Sequence, residues 1–213
     1  MEKYKVIFVI SLFCIACSFS ACCKKDKDPY FESFFPLKIG NTWIYEESYF
    51  YPSTSDTPLS VRQIQVKITK DTIIEDNQLA YIVEETRENY TRRFLWYEKG
   101  DDFIEQQVNG SKIIKYKLSM EKESTWDMFP GFPNQEFNIK KVTSVFENYK
   151  FLQTSAFAYE IRYGNAKLND QGQNGELSSE IFAPGIGVLE SNYQINYYGP
   201  SRTRTILTDY YTN

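Results

Sequence analysis

YTRRFLWYEKGDDFIEQQVNGSKIIKYKL, residues 90–118, shows the most regular hydrophobic pattern in this chain of 213 residues. Its side chains alternate between two faces, so that Phe94 and Trp96 point one way and their neighbours the other. A period of two residues is typical of a half-buried antiparallel strand. Turn signals at residues 99–102 and at Asn109-Gly110 divide the stretch into three runs, and Asn-Gly favours tight hairpins because both residues accept positive φ. The stretch therefore predicts a three-stranded meander.

The same alternation continues on both sides of the meander. Further strands are expected at 42–50, 60–69, 79–88, 136–146, 155–163, 179–183, 187–198 and 202–211, about eleven strands in all. One short segment, 119–129, is a helix candidate, and 168–176 is interpreted as a polar hairpin loop. Many short strands predict a mainly β, single-domain antiparallel curved sheet or open half-barrel, with a closed barrel or a sandwich as alternatives.

The first 23 residues have the composition of a secretory signal. A basic start is followed by a short apolar run and then by small residues, which is the usual order in such a signal. The alternative is a permanent membrane helix, since Val6 to Cys23 is at the lower limit of spanning length. The small and weakly polar second half of the run favours the signal.

The end of this run, Phe19-Ser20-Ala21-Cys22, resembles the lipobox of bacterial lipoproteins. The resemblance implies cleavage before Cys22 and transfer of a lipid to its sulfur; Cys17 and Cys23 are the alternatives, and Phe19 departs from the usual leucine. The predicted organisation is a signal peptide at 1–21, a lipidated tether at 22–34 and a β domain at 35–213. We therefore expect a lipoprotein anchored in a bacterial envelope membrane, the outer membrane by preference, whose membrane partner is lipid held through Cys22.

Composition narrows the classes of function. The chain has 24 basic and 28 acidic residues, and removing residues 1–21 takes away two lysines and one glutamate. The remaining chain has a net charge of −5. An acidic chain of this kind is not expected to bind nucleic acid. The chain has no histidine, and no cysteine follows Cys23, so neither a Ser-His-Asp triad nor a structural zinc site is expected. Disulfides are not expected either. We expect no cofactor, no metal and no enzymatic activity.

Two further stretches, Phe35–Tyr45 and Phe182–Glu190, contain PLKIGNTWIY and APGIG. They resemble the PLxxGNxWxY opening strand and the APGIG-type bend of a class of Bacteroidetes-type bacterial lipoproteins. The resemblance implies an antiparallel, strongly curved sheet, similar to the half-barrel of periplasmic lipoprotein carriers, and it implies no particular activity. The glycines and prolines themselves predict a turn before the first strand and a corner before a late one.

The leading functional expectation is a non-enzymatic binding or scaffolding role. One version is an apolar or acyl ligand held in the concave face of the sheet. The aromatic residues expected to line it are Trp43, Phe94, Trp96, Phe157, Tyr159 and Tyr163. The alternatives are a glycan or partner bound by exposed aromatics, and a glycoside hydrolase that uses two carboxylates without histidine. An apolar concavity, a flat aromatic platform or two carboxylates facing a cleft would distinguish these hypotheses.

Overall fold

The structure is a computed structural model that describes residues 34–130, 139–164, 178–195 and 201–213. The predicted signal peptide, Cys22 and the 168–176 loop lie outside the described residues, as does most of the tether. The first six strands are β1 Thr42–Phe50, β2 Ser60–Ile74, β3 Gln78–Arg87, β4 Tyr90–Lys99, β5 Asp102–Gln107 and β6 Lys112–Lys117. The other six are β7 Thr125–Asp127, β8 Ile139–Phe151, β9 Thr154–Gly164, β10 Ser178–Ala183, β11 Gly187–Ile195 and β12 Ser201–Tyr211.

All twelve strands form one antiparallel sheet in the order β6-β5-β4-β3-β2-β1-β12-β11-β10-β9-β8-β7. Every neighbour in the sheet is also a neighbour in sequence except β1 and β12, whose pairing joins the two halves of the chain. The two ends of the sheet approach each other, because the Ile114 amide donates to the Met128 carbonyl at 2.8 Å. The indole of Trp126 donates to the Ile114 carbonyl at 3.2 Å. The sheet is therefore a nearly closed, barrel-like structure, which confirms the predicted fold class.

The strand predictions are confirmed for the described residues, including the whole meander of β4, β5 and β6, although β2 and β8 extend further than predicted, to Ile74 and Phe151. Residues 136–138 and 196–198 of the predicted strands lie outside the described residues. Two predictions are wrong: the structure has twelve strands in its described part, and residues 119–129 do not form a helix. Glu123 has φ +73°, outside the right-handed helical region. The Glu123 amide donates to the Val142 carbonyl in β8, and the Val142 amide donates to the Ser124 carbonyl, both at 2.9 Å. Backbone groups of this segment therefore pair with a strand, and β7 follows at once.

Helix is nearly missing from the described residues, where one short 3-10 turn occurs at Glu75–Asn77. No helix in this part of the chain has the length and apolar character needed to cross a membrane. The outer face of the sheet carries a small apolar cluster of Ala80, Tyr97 and Ile104. The main core lies on the inner face, inside the curved sheet.

One end of the interior, the apolar end, is filled by aromatic side chains. Phe34 and Phe35 enter it from the chain segment that precedes β1, and both are buried. The ring of Phe35 stacks on Phe103 at 5.0 Å and meets the edge of Trp96 at 4.7 Å between centroids. Large rings packed in this way bury much apolar surface and stabilise the fold, so the segment acts as a plug.

The two sequence motifs meet at this plug. The Trp43 indole donates to the Ile186 carbonyl at 2.6 Å, and the Gly185 amide donates to the Phe34 carbonyl at 3.0 Å. Gly187 has φ +115°, and a Cβ there would lie 2.9 Å from Cζ of Phe35. The PLKIGNTWIY and APGIG stretches are therefore one structural unit that closes the apolar end, and their glycines allow the close approach.

Candidate ligand-binding site

The other end of the interior, the charged end, carries four buried carboxylates: Glu47 on β1, Glu85 on β3, Glu105 on β5 and Glu180 on β10. Side chains two residues apart on a strand share a face, so each carboxylate lies on the same inner face as a core residue of its strand. Their exposed fractions are between 5% and 7%. The barrel interior therefore changes from aromatic to ionic along its length.

A cavity of about 220 Å³ lies among these groups. Besides the four carboxylates, its lining includes Arg87, Arg92 and Lys115 and three tyrosines, Tyr45, Tyr116 and Tyr163. At about 30 Å³ for each water molecule, the volume corresponds to roughly seven waters. Such a space suits a small polar molecule.

A larger cleft of about 680 Å³ lies on the rim, between the turn after β3 and the turn after β5. It is a groove wide open to solvent, lined by residues such as Tyr90 and Val108. Arg92 belongs to the lining of both spaces. The 220 Å³ cavity, which is itself partly open to solvent, is the better candidate site because buried charged side chains line it, whereas most residues that line the rim groove are exposed.

An ion-pair chain crosses the four strands β1 to β4 at the charged end, and Arg62 on β2 is paired with Glu47 on β1. Arg87 contacts Glu47 at 3.2 Å and Glu85 at 2.6 Å, and Arg92 contacts the other oxygen of Glu85 at 2.6 Å. Burial raises the pKa of Glu85, but the hydrogen bonds and charges of Arg92 and Arg87 outweigh it and hold that pKa below its ordinary value. Glu85 is therefore a stable carboxylate.

A second buried group joins β8 to β10 and β6. The ammonium of Lys140 is paired with Glu180 and lies over the rings of Tyr116 and Tyr163, at 4.8 and 5.0 Å from their centroids. Tyr116 donates to the second oxygen of Glu180 at 3.4 Å. Burial lowers the pKa of Lys140, although the charge of Glu180 opposes this. This cation is held by one carboxylate and two aromatic faces.

Glu105 is the third centre of the site. Its oxygens accept hydrogen bonds from the Trp96 indole at 3.2 Å and from the Gln107 amide. The Lys115 ammonium lies 3.8 Å from one of these oxygens. The charge of Glu105 raises the pKa of Lys115, so this lysine is a cation at neutral pH.

Lys115 reaches the cavity because of a β-bulge. Phe103 pairs with Tyr116 while the next residue of β5, Ile104, pairs with Ile114, which leaves Lys115 as the extra residue of β6. Strict alternation would place Lys115 on the face opposite Tyr116, whose side chain is in the core. Bulges re-aim side chains in this way, and they are frequent beside functional sites.

The structure brings together three of the six aromatic residues predicted to line a ligand site. Phe94, Trp96 and Tyr163 line the cavity. Trp43 lies at the apolar end with an exposed fraction of 1%. Phe157 and Tyr159 on β9 pack edge to face at 5.1 Å, and neither lines the cavity. Sequence analysis missed the charged residues altogether. One sequence signal pointed to them, since β1, β3 and β5 each have a glutamate at a position where the alternation expects an apolar residue.

The described residues contain no group of three or more His, Cys, Asp or Glu side chains placed to hold a metal ion. Carboxylates do face a cavity, which is the feature that a histidine-free hydrolase requires. However, a general acid of such an enzyme needs a raised pKa, and Glu85 has a lowered one. The expectation that the protein is not an enzyme stays a prediction.

No protein-family model matches the chain, and no curated protein matches it. Among solved structures, an exported protein of Bacteroides fragilis with a YmcC-like fold is similar, with a TM-score of 0.52 at 7% identity, over 84% of this chain and 98% of that one. A Parabacteroides distasonis protein assigned as a lipoprotein has a TM-score of 0.49 at 10% identity, over the same shares of the two chains. At such identities the likeness to the Bacteroides protein shows a shared fold.

Proposed function

We propose that this chain is a lipid-anchored lipoprotein of a bacterial envelope that binds a small polar molecule inside its barrel and does not transform it. The anchor rests on the lipobox resemblance at Phe19–Cys22. The description of the Bacteroides fragilis neighbour as an exported protein supports a location outside the cytoplasm. An outer-membrane position is the preferred form of this proposal. The binding role rests on the charged cavity.

Buried charges are an energetically unfavourable way to fill the interior of a barrel. Replacing a buried ion pair by apolar side chains of similar volume is often neutral or stabilising, by up to about 4 kcal/mol. Here four carboxylates and their cationic partners surround a cavity at one end, while the other end is packed with aromatic rings. A purely structural interior would not need either the charges or the space between them. A polar ligand explains both.

The buried charges of the lining favour a polar ligand over an acyl chain. An apolar chain in this cavity would remove water from Glu85, Lys115 and their neighbours without replacing its hydrogen bonds, which is unfavourable. The apolar end offers the right chemistry, but Phe34 and Phe35 fill it. The acyl-ligand hypothesis remains a prediction, and the experiment below includes it.

The experiment compares wild-type protein with a variant whose cavity is filled. Ser191 lines the cavity and pairs with Thr205, so Ser191→Phe places a ring inside. Asn192→Phe, one residue along β11, places the same ring on the outer face and is the matched control. Binding of glucose, glucosamine, glucuronate and palmitate is measured by shifts of the Trp96 indole signal in NMR spectra.

We expect saturable binding of at least one of the three polar probes by wild type and by Asn192→Phe, and its loss in Ser191→Phe. Palmitate should not bind. Saturable palmitate binding that Ser191→Phe abolishes, with none of the polar probes bound, would overturn the polar-ligand proposal in favour of the acyl hypothesis. Absence of any binding would leave scaffolding as the better account.

A further inference from the structure

We infer that the ligand of this cavity carries a carboxylate group, bound by Lys115 and Arg92, on a hydroxylated molecule the size of one sugar ring. The inference rests on the proposed function and specifies its chemistry. It follows from a comparison of the hydrogen bonds that the lining makes with those that it leaves unmade.

The acceptors of the cavity are largely used. Both oxygens of Glu85 accept from arginines, and both oxygens of Glu180 accept, one from Lys140 and the other from Tyr116. Both oxygens of Glu105 accept as well, from Trp96 and Gln107. A cationic ligand would have to compete with these internal partners. The site is therefore poorly suited to an amine.

The donors of the cavity are not all used. Nε of Arg92 is buried and has no hydrogen-bond partner among the described residues. The Lys115 ammonium is 3.8 Å from its carboxylate partner, which is longer than a hydrogen bond. A donor such as Arg92 Nε that is withdrawn from water without a partner is unfavourable. The Lys115 side chain is partly exposed and its ammonium is not hydrogen-bonded to Glu105, so both cations can donate to a ligand that brings acceptor oxygens.

Tyr45 supplies the second kind of unused group. Its side chain is 92% buried, since its exposed fraction is 8%, and it lines the cavity. Its hydroxyl has no hydrogen-bond partner in the described part of the chain. Burial, together with the charges of Glu85 and Glu180, raises the pKa of Tyr45, so the hydroxyl keeps its proton. It can then donate to, or accept from, a ligand hydroxyl.

Charge and size agree with an acidic ligand. Five cations pair with the four carboxylates at the charged end, so one ligand carboxylate meets no excess of negative charge; they are Arg62, Arg87, Arg92, Lys115 and Lys140. Arginine and lysine bind carboxylates through charge-assisted hydrogen bonds. A cavity of about 220 Å³ holds one hydroxylated ring and no long chain. Trp96 and Phe94 present aromatic rings to it.

The test titrates the protein with glucuronate, galacturonate, glucose and glucosamine and measures each dissociation constant by NMR. A charge-assisted hydrogen bond contributes enough for about tenfold or more in affinity. We expect at least one of the two uronates to bind about tenfold or more tightly than glucose, and glucosamine to bind no better than glucose. The uronate affinity should fall as salt is added, because ionic contacts are screened.

Two lysine variants locate the contact. Lys115→Met should weaken uronate binding about tenfold or more while glucose binding changes little. Lys117→Met, on the same strand but paired with Asp102 and outside the cavity lining, should leave both unchanged. Circular dichroism checks that both variants fold, and the ranking of the four probes with wild-type protein holds as a test in any case.

Equal binding of glucose and the uronates, or preferred binding of glucosamine, would overturn the acidic-ligand inference and leave the proposed polar-ligand function standing. Unchanged uronate affinity in a folded Lys115→Met variant would also overturn it. Failure of all four probes to bind overturns the inference and counts against the proposed function too.

Discussion

The glycine that begins β11, Gly187, shows how one residue affects the closure of the apolar end. Gly187 has φ +115°, and a Cβ at this position would clash with the ring of Phe35. Gly110 has φ +85°, and no atom lies within 4 Å of the position that its Cβ would take. Gly187→Ala should therefore lower the free energy of unfolding by about 1–3 kcal/mol through backbone strain. Overpacking against Phe35 should lower it by a similar amount. Gly110→Ala should show the strain alone. Urea unfolding measures both, and equal losses would contradict the close packing of Phe35 on Gly187.

The buried pair of Lys140 and Glu180 predicts a non-additive pair of mutations. Lys140→Met leaves the Glu180 carboxylate buried with Tyr116 as its remaining donor, so we expect a loss of about 3–5 kcal/mol. Replacing both, with Lys140→Met and Glu180→Leu, removes the uncompensated charge and should recover most of that loss. The free energy of unfolding in urea at pH 7 gives the comparison. A double variant less stable than either single variant would show that the pair stabilises the fold by itself.

Glu85 predicts how stability responds to acid. Its pKa in the folded protein is lowered by Arg92 and Arg87 against the effect of burial, from an ordinary value of 4.5. A carboxyl group with a lowered folded pKa contributes stability that is fully present above its unfolded pKa and is lost as the pH falls through the folded value. The free energy of unfolding of the wild type should therefore fall below about pH 4.5. In Glu85→Gln it should fall less steeply with decreasing pH. This variant should also lose about 1–3 kcal/mol at pH 7. If the free energies of unfolding of the two proteins change in parallel between pH 2.5 and 7, the loss of stability in acid is caused by other groups.

At the scale of elements, the contact between β6 and β7 is the weakest place in the sheet. One backbone hydrogen bond, from Ile114 to Met128, and the Trp126 indole cross it within the described residues. Trp126→Phe keeps an aromatic ring but leaves the Ile114 carbonyl without that donor, which should destabilise by about 1–3 kcal/mol. Hydrogen exchange should then rise in β6 more than in β3, which is paired on both sides. A uniform rise across the sheet would show that the two ends open only when the whole barrel unfolds.

The elements were largely predictable because their pattern is local. Alternation around Phe94 and Trp96 gives the strand, and Asn109-Gly110 gives its hairpin without any tertiary information. β7 was missed because three residues are too short for a period, and Trp126 is held by a contact with β6 rather than by local propensity. Lys115 was missed because a bulge moves its side chain to the other face of the sheet, and its contacts there involve residues of other strands. The register between strands decides which charged side chains meet in the cavity, and the pattern of a single sequence does not reveal that register.

At the scale of the whole molecule, the positions of the plug and the charged end predict an orientation on the membrane. If Cys22 carries lipid, 11 residues lie between it and Phe34 at the apolar end, and the twelve peptide links of this tether reach at most about 40 Å. β1, with 9 residues, already spans about 30 Å between the two ends. The apolar end should therefore stay near the lipid on average, and the charged end should face away from it.

Two exposed positions mark the ends for a test of this orientation. Val108 follows β5 at the charged end and is 87% exposed, and Leu152 lies in the turn between β8 and β9, at the opposite end, and is 50% exposed. In a Cys23→Ser background, Val108→Cys or Leu152→Cys carries a fluorophore, and the lipidated protein is bound to vesicles that contain a quenching lipid. We expect stronger quenching at residue 152 than at residue 108, because short-range quenching reports the distance to the bilayer. Adding Cys22→Ala should remove the quenching at both positions together with lipid labelling. Stronger quenching at residue 108 would place the cavity toward the membrane, and labelling that persists without Cys22 would assign the anchor to another cysteine.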